Sequence, residues 1–386
     1  MEEKVQKNRI MLIGIDAHSL EGKRTGVGRV LLNLILQWQR QPSENVKFIL
    51  YFKDEIPEGI PKGKIFEAKL LKSCSTAKFI HWNLWRAAKK DKLDVLFCPE
   101  YVGPIFYKGK IAVFLHDIVY EAHPEWFNWK SAADKVLLKW VSKKTAQKAE
   151  IVFTPLNFGK AEIIKHYGIK PEKIIITGEG VDPAFKAEGG KEAGIVLKKY
   201  GIDHKFFFYV ASIFSRRHLR EIIKAFLILA EMRPDLQFLI AGVDYTPGKS
   251  INQAARKANA ELKRNAIVRV NFIPDEDLSE IYRNCEFFVW LSDYEGFGLP
   301  VVEAMSSGVP VMTTDGTSLK EVAGDAAYLI KNNTNINEIF EGMRSLLTDG
   351  ILRQYLIGKG REQAKKFNWK LCADTILKRL SEESEK

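Results

Sequence analysis

The chain spells two successive series of short apolar strands alternating with helices, and that pattern constrains the fold before any single residue is weighed. The first series has strands predicted at residues 9–16, 46–52, 95–98, 111–116, 151–154 and 173–177, with a helix over 27–40. The second has strands at 205–210, 237–241, 267–272, 287–291, 310–313 and 327–329. Strands this short, separated by helices, pair in parallel and are covered on both faces. The expected fold class is therefore α/β, with two doubly wound, Rossmann-like domains. A length of 386 residues agrees, because it exceeds what one core usually supports. Residues 181–194, with Pro183, Gly189 and Gly190, are the expected linker. Ligands of open parallel sheets bind beyond the C-terminal strand ends, so the two domains are expected to face one another across a cleft that holds the substrates.

Composition is that of an ordinary globular protein, 46% hydrophobic and 28% charged. The opening Met1-Glu2-Glu3-Lys4-Val5-Gln6-Lys7 lacks the apolar core of a signal peptide, and no apolar run is long enough to span a bilayer, so a cytoplasmic location is expected. Cys74, Cys98, Cys285 and Cys372 are far apart and form no metal-ligand spacing; free, mostly buried thiols are expected. The net charge of +11 is uneven. Residues 1–185 hold 30 Lys and Arg against 21 Asp and Glu, whereas the remainder holds 29 against 27. The N-terminal half is thus suited to an anionic partner; nucleic acid, an acidic membrane surface or a phosphate-bearing lipid would each satisfy the field.

The most informative stretch is Asp293-Tyr294-Glu295-Gly296-Phe297-Gly298-Leu299-Pro300-Val301-Val302-Glu303-Ala304-Met305-Ser306-Ser307-Gly308-Val309-Pro310. Its pattern predicts a strand, a glycine turn and a short helix. Gly296 and Gly298 let backbone approach a ligand, Pro300 suits a first helical turn, and Gly308 with Pro310 ends the helix. Such a helix start presents unpaired N–H groups to an anion, a diphosphate above all. Glu295 and Glu303 repel phosphate but are good acceptors for sugar hydroxyls, one for a hexose and the other for a ribose. A glycine turn with one surface glutamate and one capping glutamate is the plainer alternative.

This stretch resembles the signature of family 4 of the retaining glycosyltransferases, whose two motif glutamates fall on Glu295 and Glu303. Further motifs carry the resemblance along nearly the whole chain: Thr25-Gly26-Val27-Gly28-Arg29, His116-Asp117, Gly180-Val181-Asp182-Pro183-Ala184-Phe185, Phe272-Ile273-Pro274-Asp275-Glu276-Asp277-Leu278, Glu321-Val322-Ala323-Gly324-Asp325-Ala326-Ala327 and Phe367-Asn368-Trp369. The resemblance implies the GT-B fold. Residues 1–185 with 366–386 would form an N-terminal acceptor-binding domain, completed by a final helix at 371–380 that crosses back to it. Residues 186–365 would form the C-terminal domain that binds the nucleotide-sugar donor.

The resemblance also implies roles. A basic pair, Arg216 and Arg217, grips the donor diphosphate, with Arg217 where the family usually has lysine. Arg217 keeps that charge and adds a fork geometry. Ser212 stands where many members carry another arginine. Gly296, Phe297, Gly298 and Leu299 line the donor with Glu295 and Glu303, and the main chain at Ile273 reads the base. His116 faces the transferred sugar and helps stabilise the positive charge of the transition state; its plainer reading is a ring satisfied by Asp117. Gly26 and Gly28, with Arg29, form a second glycine loop near phosphate or acceptor. Many members have asparagine where this chain has Glu179, before Gly180-Val181-Asp182. Transfer would retain anomeric configuration without a protein base, a metal or a cofactor, the nucleotide sugar being a substrate. Asp275-Glu276-Asp277 formally spells a metal motif but reads as a helix N-cap. Glu295→Ala is expected to abolish transfer with little loss of fold.

Residues 116–127 resemble a subgroup rich in mannosyltransferases of surface polysaccharide assembly, which makes GDP-mannose the first donor and a glycan or lipid-linked molecule the acceptor; UDP-sugars stay open. Nucleic acid is not an expected partner. Aromatic and basic residues at 78–90, 126–130 and 139–144 suit an anionic bilayer, or else the tryptophans pack inside. A nucleotide-sugar epimerase would lack the paired glutamates in this setting, and a periplasmic binding protein would need an export signal. A dehydrogenase would need more than Gly26-Val27-Gly28. A non-catalytic partner subunit would not need Glu295, Glu303 and His116.

Overall fold

Apolar runs bounded by turn residues become parallel strands in the computed structural model, which describes residues 9–22, 26–43, 45–127, 129, 131–186 and 193–386. Thr25, Asn128, Lys130, Gly189 and Gly190 of the sequence reading lie outside the described residues. One sheet contains β1 (Met11–Asp16), β2 (Val46–Phe52), β3 (Phe66–Leu70), β4 (Val95–Cys98), β5 (Ile111–Phe114), β6 (Ile151–Thr154) and β7 (Ile174–Ile176) in the order β3-β2-β1-β4-β5-β6-β7. The other contains β8 (Lys205–Val210), β9 (Leu236–Ala241), β10 (Ile267–Val270), β11 (Phe288–Trp290), β12 (Val311–Thr314) and β13 (Tyr328–Ile330) in the order β10-β9-β8-β11-β12-β13. Adjacent strands are parallel in both. The doubly wound α/β expectation therefore holds for each sheet, with β3 as a strand that the sequence reading passed over.

The strand order reverses between β1 and β4 in the first sheet and between β8 and β11 in the second. At such a switch point the connections leave in opposite directions and open a crevice at the C-terminal strand ends, where ligands bind. His18 and Glu100 follow β1 and β4; Arg216 and Glu295 follow β8 and β11.

The chain divides into two units, residues 1–179 with 368–386, and residues 180–367. The second unit begins at Gly180 rather than at 186. Phe185 is buried edge-on against Tyr282 at 5.7 Å, and its carbonyl accepts a hydrogen bond from Ser307 Oγ at 3.3 Å. It extends through Phe367, which meets Phe297 edge-on at 5.2 Å. The final helix, Trp369–Glu385, belongs to the first unit, where Trp38 Nε1 donates to the Ala373 carbonyl at 3.1 Å and Lys110 Nζ to that of Glu383 at 2.6 Å. Its start is fixed by Asn368, whose side chain accepts from the Lys370 amide.

Aromatic residues fill both interiors. Trp38 stacks on Phe48 at 4.9 Å in the first unit. In the second, Phe207 is sandwiched between Phe238 and Phe287 at 4.1 and 4.8 Å. Each such fully buried ring stabilises its unit by about 1.5–3 kcal/mol relative to exposure. Among the described residues, no helix is long and apolar enough to cross a membrane.

Candidate active site

In the second unit, β11 ends at Trp290 and the chain turns through Ser292–Gly298 into the helix Leu299–Ser306. Gly298 takes φ 118°, a region closed to ordinary side chains, and a Cβ there would stand 2.9 Å from Leu319 Cδ2. Pro300 sits in the first helical turn, as the sequence predicts, and Val301 N–H donates to the Gly298 carbonyl at 2.9 Å. The turn is anchored from behind by Ser318 Oγ, which donates to the Glu295 carbonyl at 2.7 Å.

Arg217 and Glu295, assigned separate ligands by the sequence reading, are brought together. Arg217 Nε donates to Glu295 Oε1 at 2.7 Å and Nη2 to Oε2 at 3.0 Å; Nη1 donates to the Ser212 carbonyl. Ser292 Oγ adds a hydrogen bond to Oε1 at 2.9 Å. Both residues of the pair are 8% exposed. Burial alone would raise the Glu295 carboxyl, but the charge and hydrogen bonds of Arg217 outweigh it and hold the group below its ordinary range. Burial likewise opposes the charged Arg217, and Glu295 outweighs it, holding the guanidinium above its usual value. The ring of Trp290 lies 5.1 Å from the same guanidinium.

This pairing removes the objection to a carboxylate beside a phosphate seat, because Glu295 arrives already neutralised. An ionised carboxylate has about four acceptor positions, so Oε2, with one bond from Arg217, retains capacity for a hydroxyl. Arg216 is the neighbouring cation: its Nε donates to the Tyr294 carbonyl at 3.2 Å, and its Nη2 lies 3.9 Å from Glu295 Oε1. His218, just past the pair, has Nε2 2.7 Å from Asp293 Oδ1. Its burial acts against the charge, but Asp293 and Glu221 prevail and push it up to about 9.

Glu303 is 2% exposed inside the Leu299–Ser306 helix and accepts from Tyr282 OH at 3.2 Å. Both motif glutamates are thus turned inward, which removes the surface-glutamate alternative. Phe297 and Ile273 are buried as well, Ile273 in the loop after β10. The acidic triplet differs from its reading in detail. Pro274 occupies the cap position, and Asp275, Glu276 and Asp277 form the first turn of the Asp275–Asn284 helix, where they complement its dipole. Asp277 is bound by Lys199 and by Tyr200 OH, the latter at 2.7 Å.

In the first unit His116 follows β5, and its ring stacks on Phe114 at 4.1 Å. Asp117 is not its partner: that carboxylate accepts from Tyr101 OH at 2.9 Å and from the Val119 amide at 3.0 Å. His116 Nδ1 instead lies 2.9 Å from Glu179 Oε1. Gly26 and Gly28 are not a loop. They lie within the first turn of the helix Gly26–Arg40, where Gly28 is buried, so this segment would meet a ligand with its first-turn N–H groups. Arg29 lies on the same turn, its carbonyl capped by Asn33 Nδ2 at 2.9 Å.

The sequence reading missed a cluster at the switch point of the first sheet. His18 Nδ1 is 2.6 Å from buried Asp16 Oδ1, and its Nε2 is 3.7 Å from Glu100 Oε2. Burial works against a charge on His18, yet Asp16, Glu100 and Glu21 together push it up to about 9. Glu100 is raised by burial. The available signal was position alone, since Asp16 ends β1 and Glu100 lies just beyond β4.

Comparison with known proteins follows this division. The family model for glycosyl transferases group 1 matches residues 197–363, and that for Glycosyltransferase Family 4 matches residues 24–185. O-antigen chain mannosyltransferase B of Escherichia coli is 28% identical over 309 residues, spanning 78% of this chain and 77% of that protein. Serotype-specific mannosyltransferase WbdA, also of Escherichia coli, is 27% identical over 229 residues, 58% of this chain but only 28% of WbdA. The structure of WaaG, a glycosyltransferase involved in lipopolysaccharide biosynthesis, aligns with a TM-score of 0.73 at 17% identity, covering 95% of this chain and 98% of WaaG. Anabaena HepE in complex with UDP and glucose aligns with a TM-score of 0.72 at 14% identity, covering 97% and 100%. At such identities the likeness establishes the fold, which is GT-B. With one family model on each sheet-bearing half, the chain consists of a Glycosyltransferase Family 4 domain followed by a glycosyl transferases group 1 domain.

Proposed function

We propose that the chain transfers a hexose, mannose from GDP-mannose as first choice, to a glycan or lipid-linked acceptor in surface polysaccharide synthesis. The second unit holds the donor and the first unit the acceptor. The observation that carries the reading is the neutralised Glu295 beside Arg216 and the Gly298 turn, since one small region then offers a phosphate seat and an acceptor for sugar hydroxyls. Arg216 and the main-chain amides of the glycine turn up to Leu299 stabilise the leaving diphosphate, as preorganised donors do without a metal. Glu295 Oε2 and Glu303 take hydroxyls of the hexose and the ribose, and the main chain at Ile273 reads the base. His116 meets a hydroxyl of the transferred sugar, while Gly26, Gly28 and Arg29 approach the phosphate or the acceptor. The acceptor hydroxyl attacks the anomeric carbon from the face that the diphosphate leaves, so the anomeric configuration is retained, and the leaving phosphate takes the hydroxyl's proton, so no protein base is used.

Mannose is favoured by the likeness to O-antigen chain mannosyltransferase B and WbdA. A melting-temperature panel of GDP-mannose, UDP-glucose and UDP-N-acetylglucosamine tests it, because a ligand that binds only the folded state raises the midpoint with its concentration. GDP-mannose is expected to give the largest rise, and product analysis by NMR to show an α-mannoside. A rise with a UDP-sugar alone would transfer the assignment to that donor.

A further inference from the structure

We propose that Glu179 is the positioning residue for His116, holding the ring as its Nδ1–H tautomer so that Nε2 presents a lone pair to a hydroxyl of the transferred sugar. The inference rests on the proposed role of His116 and adds the group that makes that role possible. Three observations carry it. His116 Nδ1 lies 2.9 Å from Glu179 Oε1, and both side chains are largely buried. An ionised carboxylate only accepts, so the hydrogen between them belongs to Nδ1. The opposite ring nitrogen, Nε2, is buried and has no partner among the described residues. A buried acceptor left open in this way is rare, and at the end of a sheet strand it is a place reserved for a ligand atom.

The backbone that carries Glu179 is fixed on both sides. Thr177 N–H donates to the Thr154 carbonyl at 3.0 Å and Gly178 N–H to that of Pro155 at 3.1 Å, tying the segment to the end of β6. Gly178 adopts φ 66°, which turns its carbonyl toward the final helix, where it accepts from Cys372 Sγ at 3.3 Å. Phe114 holds the far side of the imidazole through its stacked ring. The carboxylate therefore meets a ring that has little freedom to rotate, and tautomer choice is what it contributes. Glu179 is also the last residue of the first unit before the chain enters the second.

The test reads the tautomer directly. Protein labelled with ¹⁵N-histidine gives ring nitrogen shifts that identify the protonated atom, and His116→Asn assigns the His116 signals by their loss. In the wild type, at a pH where the ring is neutral, Nδ1 is expected to carry the hydrogen; an Nε2–H ring overturns the inference without any variant. In Glu179→Ala the ring is expected to revert to Nε2–H, with kcat lowered about 10- to 100-fold and the KM for the donor nearly unchanged. Glu179→Gln, whose carbonyl can still accept, is expected to recover part of the rate. A folded Glu179→Ala enzyme with wild-type kcat overturns the inference. Full activity of His116→Asn would instead refute the role of His116 itself, while the tautomer result would still report on Glu179.

Discussion

Arg217 and Glu295, 78 residues apart in the chain, form a buried fork with hydrogen bonds of 2.7 and 3.0 Å. Removing one partner strands the other as an unpaired buried charge, at a cost of about 3–5 kcal/mol. The sequence reading expects Glu295→Ala to leave the fold nearly intact; the pairing changes that expectation. Glu295→Ala and Arg217→Ala are both expected to lose transfer and to lower the melting midpoint by several degrees. The Arg217→Met/Glu295→Met double variant, with neither charge left stranded, is expected to regain much of the stability and remain inactive. Calorimetry of the three variants checks this, and single variants melting like the wild type would show that the pair contributes little.

Gly298→Ala places a Cβ at φ 118° and 2.9 Å from Leu319 Cδ2. Holding an ordinary residue in such a conformation costs about 1–3 kcal/mol, and the turn is expected to shift to relieve it. Because that turn opens the proposed phosphate seat, the melting shift produced by GDP-mannose should shrink sharply while the apo protein still unfolds cooperatively. An unchanged shift would place the diphosphate elsewhere.

His18 and His218 are each pushed up to about 9, the first by Asp16, Glu100 and Glu21 against its burial, the second by Asp293 and Glu221 against its own. Their folded values stand above the unfolded one, about 6.5. Their stabilisation is therefore complete below that pH and is lost as pH rises through about 9. The urea midpoint is expected to fall across this window. Asp16→Asn should remove the share of the first unit and Asp293→Asn that of the second. A midpoint that stays flat from 6.5 to 9 in the wild type would contradict both assignments.

What the sequence made legible was backbone placement. Apolar runs located nearly every strand to within a residue or two, and the glycine-proline pattern located the helix Leu299–Ser306. The edge strand β3 escaped because Phe66-Glu67-Ala68-Lys69-Leu70 is short, alternates apolar with charged residues instead of forming a continuous apolar run, and pairs only with β2. Gly26 reads as part of a glycine loop just before the helix expected over 27–40, because glycine weakens a helix prediction, yet the following apolar face is strong enough to draw it with Gly28 into the first turn. Side-chain partners were illegible for a different reason. Nothing local in the chain links Arg217 to Glu295 or His116 to Glu179; those pairs exist only because strand order brings distant strand ends together.

The structure also divides the aromatic segments of the first unit between interior and surface. In the segment 78–90, Phe79, Ile80 and Leu84 are buried, while Trp82 is half exposed with Arg86 stacked 4.9 Å above it. The helix Ala132–Lys148 is the more telling case. Val136, Leu137 and Trp140 are 66%, 59% and 48% exposed, and their spacing places them together on one side of the helix. Lys135 and Lys144 lie on the same helix, and Trp126 and Phe127, also exposed, shortly precede it. An apolar strip accompanied by lysines suits the interface of an anionic bilayer, where each nearby cation adds about 1 kcal/mol. The protein is expected to float with phosphatidylserine-rich vesicles, less so in raised salt, because screening shortens the reach of the lysines. Leu137→Glu combined with Trp140→Glu is expected to abolish flotation and leave the melting shift with GDP-mannose unchanged, since the donor is assigned to the other unit. Flotation that survives the double substitution would remove this helix from the contact, and a wild type that stays at the bottom of the gradient would overturn the bilayer contact expected of these segments.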